Sequence, residues 1–84
     1  MRVKEFEMAL KNARDKYSDK VRIIENERIE LQAELYSKSR DEKWTKKKFK
    51  NLSHLLYLKY EKMLLEERTR FAEEEEMLRK RYEL

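Results

Sequence analysis

The chain contains no glycine, no proline and no cysteine. Glycine and proline are the main punctuators of turns and strands, so their absence predicts a helical chain. Without cysteine there is no disulfide framework and no thiol chemistry, which fits the cytosol. No apolar run approaches the roughly 18 uninterrupted residues of a membrane span. The first residues, MRVKEFEMALKNARDK, hold no apolar stretch of the kind a signal peptide needs. A cytoplasmic chain is therefore expected. Histidine is nearly absent too. His54 stands alone, with no carboxylate among its near helical neighbours before Glu61, and this offers neither a zinc set nor a base–nucleophile pair. It reads as a surface histidine. A chain without glycine also lacks a loop to cradle phosphate. No catalytic residue, cofactor or metal is expected.

What is present is charge. Asp, Glu, Lys and Arg make up 48% of the 84 residues, about twice the share in an ordinary domain, and the net charge is +4. Glu, Lys, Arg and Leu dominate, and all favour helix. Such a chain can bury a stripe but not a thick core. A core of this size supplies roughly 3–5 kcal/mol, so self-association or a protein partner is expected. The chain reads as one coiled-coil module over 1–84.

The first stripe runs through Val3, Phe6, Leu10, Ala13, Tyr17, Val21, Ile24, Arg28, Leu31 and Leu35, in steps of 3-4-3-4-4-3-4-3-4. This predicts an amphipathic helix over 2–36 that packs by knobs into holes, with one stutter at Tyr17–Val21. Arg28 is the one charge in the line. Its stem packs while its head reaches water, or it pairs with a carboxylate across the seam. A break is expected at 37–41, where Ser39-Arg40-Asp41-Glu42 fits a capping box. The second helix is then expected over 40–83.

Two architectures satisfy this all-α pattern. One is a coiled-coil hairpin of two long amphipathic segments. Folding about Ser39 sets Leu31 near Phe49, Ile24 near Leu55 or Leu56, Val21 near Leu58, Tyr17 near Met63, Leu10 near Phe71, and Val3 near Met77 or Leu78. The other is one extended, kinked helix of roughly 125 Å in an oligomer.

The middle of the second helix is unusually apolar. Leu52, Leu55, Leu56, Tyr60 and Met63 share a face, Tyr57 and Leu64 widen it, and Leu58 and Leu65 lie well round the other side. So much apolar circumference predicts burial on more than one side, hence a second surface. Further on, Phe71 and Leu78 continue a narrow stripe. Glu66–Arg70, Glu75–Arg79 and Glu76–Lys80 are favourably oriented i,i+4 pairs. The four carboxylates Glu73 to Glu76 point about 100° apart on a helix and cannot converge on one ion, and calcium prefers loop geometry. They read as a solvated face, or as a docking surface for a basic partner.

The sharpest local signal is Lys43, Trp44, Lys46, Lys47, Lys48 and Lys50, a basic contact patch just ahead of the leucines. Three readings stand. Trp44 and Phe49 pack at the start of the second helix while the lysines stay solvated. Alternatively, Trp44–Leu65 is a basic amphipathic helix recognised by a calmodulin-like protein or lying on an anionic surface. Lastly, the lysines contact the acidic surface of a filament or the phosphates of nucleic acid. Phosphate binding of that kind is sequence-blind and salt-sensitive, and the acidic tail disfavours it.

The composition resembles that of coiled-coil segments of cytoskeletal, ciliary and myofilament-associated proteins. With the Val3–Leu35 stripe and the Leu52–Leu65 block to bury and no catalytic set, the expectation is a structural, non-catalytic protein that assembles with itself or along a larger protein assembly. It is expected in the cytoplasm, and the resemblance, one of composition only, adds association with the cytoskeleton. Replacing Leu56 and Met63 with Asp is expected to abolish the assembly.

Overall fold

The computed structural model describes residues 2–83. The fold is all-α: α1 spans Arg2–Asp41, α2 spans Lys46–Arg81, and the two pack along their length as an antiparallel hairpin about 63 Å long. Of the two expected architectures, the hairpin is the one found.

The turn is not where the capping box placed it. α1 continues through 37–41, and the chain reverses over residues 42–45. Nothing in Ser37-Lys38-Ser39-Arg40-Asp41 breaks a helix. Lys38 and Arg40 sit in the last turn, where cations suit the negative end of the helix dipole. The Ser39 hydroxyl donates to the Tyr36 carbonyl at 2.6 Å, back into its own helix, so it caps nothing.

α1 closes with a Schellman pattern. The Trp44 amide donates to Ser39 O at 2.9 Å, and the Lys43 amide to Arg40 O at 3.4 Å. That pattern needs a left-handed residue, usually glycine. Here it is Lys43, at φ 52°. α2 then starts from Thr45 in extended geometry, whose Oγ1 accepts the Lys48 amide at 3.1 Å. Thr45 thus performs the N-capping role. No acidic residue occupies the first turn of α2, which instead carries Lys46, Lys47 and Lys48 at its positive end.

The later turn moves the register. Phe6 meets Tyr82 edge-on at 6.1 Å, Tyr17 stacks on Phe71 at 5.0 Å, and Tyr36 meets Phe49 edge-on at 6.1 Å. Gln32 Nε2 donates to Ser53 Oγ at 3.4 Å between the same two helices. Tyr17 therefore lies against Phe71 rather than near Met63, and the partner of each α1 residue is about one heptad further along α2 than folding about Ser39 gives. A heptad shift lays stripe on stripe equally well, so apolar matching alone does not separate the two registers.

The stutters separate them. The covered positions of α1 include Ala13, Tyr17 and Val21, two successive steps of four. Those of α2 include Glu67, Phe71 and Glu75, again two steps of four. In the observed register both stutters fall at the Tyr17–Phe71 stack, so the two helices unwind at the same level.

Candidate interaction surface

Each helix has an inner face against its neighbour and an outer face. On the inner face, Ala13, Ile24 and Tyr60 are buried. Phe6, Leu10, Tyr17, Val21, Leu31, Leu35, Leu52, Leu56, Met63, Phe71 and Leu78 are partly covered, as their spacing predicts. Two candidates for this interface depart from it. Val3 is 56% exposed, because it lies a turn beyond the Phe6–Tyr82 contact, where α2 has ended. Leu55 is 61% exposed, because one residue from Leu56 is about 100° round the helix.

Tyr60 is the centre of the seam and is fully enclosed. Its hydroxyl has no hydrogen bond of good geometry. Burial raises its pKa above the ordinary 10.0, and the Glu27 carboxylate of α1 beside it pushes the same way. Nearer the open end, Glu67 is largely covered and joins Lys20 of α1 at 3.9 Å to Arg70 of its own helix at 3.2 Å. Arg70 thus pairs with Glu67 rather than Glu66, whereas Arg79 and Glu75 form the expected i,i+4 pair at 3.1 Å. Arg28 is half-buried in the seam and makes no ion pair among the described residues, as a packed stem with a hydrated head requires.

The basic patch is divided by the turn. Lys43 and Trp44 lie in it, while Lys46, Lys47, Lys48 and Lys50 lie on the first turns of α2, all of these lysines exposed. Trp44 is half-buried with its indole N–H enclosed and unpartnered, and the Lys48 ammonium sits 4.5 Å from its ring centre. Phe49 packs on Tyr36. A partner that enclosed Trp44–Leu65 through Phe49, Leu56 and Tyr60 has to displace α1 first. His54 is exposed and stacks on Tyr57, one turn along the same helix.

The outer face of α2 carries the surface that the hairpin leaves open. Leu55, Leu58 and Leu65 are 61%, 48% and 59% exposed. They belong to a second stripe, Leu55, Leu58, Lys62, Leu65, Thr69 and Ala72, stepping 3-4-3-4-3, with every member exposed. Leu55 also edges a shallow groove of about 360 Å³ between the helices, where Leu31, Leu35, Leu52 and Leu56 lie between Lys38 and Lys59. The outer face of α1 has no such stripe. Apart from Val3 and from Tyr36, which reaches Phe49, its exposed apolar residues Met8, Ile23, Ile29 and Ala33 are spread along 26 residues of helix, and only Ile29 and Ala33 lie one turn apart on one face. The sequence signal for the outer stripe was the placement of Leu58 and Leu65 away from the Leu56–Tyr60 face. Leu55, expected on the inner face, lies at the border of the two faces, exposed but edging the groove between the helices.

No helix among the described residues is long and apolar enough to cross a membrane. Compared with protein families, curated protein sequences and solved structures, the chain matches none.

Proposed function

We propose that this protein is a non-catalytic assembly module, a helical hairpin that works by being bound along the outer face of α2. The observation that carries this reading is the exposed leucine stripe. α1 already covers the inner seam, yet α2 presents a second heptad-spaced stripe to solvent. Exposed apolar residues scattered singly need no explanation, but leucines repeated at heptad spacing along one face, interrupted only by Lys62 and flanked by charge, mark an interaction surface. Heptad spacing fits a helical partner, either another copy of the chain or a strand of a larger protein assembly of the cytoskeletal kind. The exposed lysines of the basic patch and the glutamates 73–76 flank the stripe and set which partner fits and in which direction.

The test is a photoreactive amino acid placed at Leu58 in the cell that makes the protein, with the same group at Asp15, exposed on α1, as the reference. Protein adducts form from position 58 and not from position 15. An equal or empty yield at 58 removes the proposal.

A further inference from the structure

The charge pattern along the outer face of α2 identifies its occupant, and this step rests on the assembly reading above. We infer that the Leu58–Leu65 part of the stripe pairs with the same part of a second copy, antiparallel, about a twofold axis between Glu61 and Lys62, with Leu55 level with the stem of Arg68 at the rim. The argument is one of symmetry. A twofold contact is self-complementary, so each residue must face something suitable in a copy of its own helix. Leu58 and Leu65 are centred between residues 61 and 62, and in the pairing each lies level with the other in the second copy. Lys47 and Glu76 share that centre, and so do Lys50 and Glu73. The lysine-rich start of one α2 therefore runs level with glutamates 73–76 of the other, twice over.

Apart from Glu75, which pairs with Arg79, neither run is neutralised within its own chain. Lys46, Lys47, Lys50, Glu73, Glu74 and Glu76 are exposed and take part in no ion pair among the described residues. Lys46 to Lys48 also stand at the positive end of the helix dipole, where an approaching carboxylate is favoured twice. A parallel pairing in register sets lysine on lysine and glutamate on glutamate instead. Lys62 is the weak point of the stripe, since it places a charge between Leu58 and Leu65, where its stem can pack and its head must reach the rim.

Lys47 and Glu76 lie about 43 Å apart along one helix, so they cannot pair within a chain. That separation supplies the test, sedimentation over a concentration series with helicity checked by circular dichroism. The parent sediments as a dimer. Lys47→Glu weakens the dimer about tenfold, and adding Glu76→Lys restores it. Adding Glu30→Lys on α1 instead, which restores only the net charge, does not. Lys62→Leu tightens the dimer. A parent that is monomeric throughout overturns the pairing, as does a dimer that the two double variants restore equally. If the chain is monomeric while position 58 still captures a different protein in the cell, self-pairing fails and the assembly reading stands. If position 58 captures nothing, both fail.

Discussion

The two long faces of α2 use the same spacing for different ends. The inner face is stepped, aromatic and occupied, with Tyr60 enclosed at its centre and Phe49, Phe71 and Tyr82 each meeting a ring of α1. The outer face is aliphatic and open, and opposite charges gather toward its two ends. Interlocking rings and a matched stutter hold one neighbour in one register. A short leucine stripe holds a partner with less shape to fix it, and leaves direction to charge. Stability and recognition are thus placed on opposite sides of one helix.

The largest expected effect breaks this division directly. Tyr60→Ala empties the middle of the seam, and cooperative thermal unfolding by circular dichroism is lost. Leu58→Ala removes an aliphatic side chain from the outer face and, in dilute solution where the chain is monomeric, leaves the melt near that of the parent. If both variants melt alike, the two faces do not differ in role. Replacing Leu56 and Met63 with Asp, proposed from the sequence as a test of assembly, strikes the inner face and therefore reports on the hairpin.

A smaller effect comes from the turn, which sets the register of the inner face alone. Thr45→Ala removes the side-chain cap of α2 and costs about 1 kcal/mol of hairpin stability in denaturant titration. Lys43→Gly relieves the left-handed residue and gains up to about 1 kcal/mol. Neither changes the leucine stripe. Opposite signs for these two variants support the turn as described, and equal signs contradict it.

The smallest effect is confined to alkaline solution. The Tyr60 phenol is held protonated in the hairpin, so folding favours the neutral form. Its contribution is fully present below the ordinary tyrosine pKa of 10.0 and is lost as pH rises from there through the raised value. Glu27→Gln removes the contribution of the Glu27 carboxylate, bringing phenolate formation to lower pH and shrinking the alkaline loss. Phenolate absorbance during a pH titration checks this, and an unchanged titration excludes Glu27 as a cause.

Much of the hairpin was legible in the residues. The α1 stripe from Phe6 to Leu35 is the covered face, and the surplus of leucines on α2 is the open one. The turn was misplaced because Ser39 offered a capping motif while Thr45 offered none beyond its own hydroxyl, and because a left-handed lysine has no sequence signature. The register followed the turn. It was not recoverable, because the α2 step of four that matches Tyr17–Val21 runs through Glu67 and Glu75, charged residues that no apolar pattern marks as covered. Leu55 was placed inward because it neighbours Leu56, although adjacent residues on a helix do not share a face.

The turn around the left-handed lysine also decides the overall shape. Were Lys43 and the extended Thr45 both to take helical backbone angles, α1 and α2 would continue as one rod of roughly 120 Å. Both inner stripes would then be bare, and a neighbouring rod could exchange arms with it to cover them. A change confined to the turn thus separates a self-contained hairpin from an arm-swapped pair. The outer stripe of α2 would be open in either form, so a chain that swapped its arms would keep its docking face.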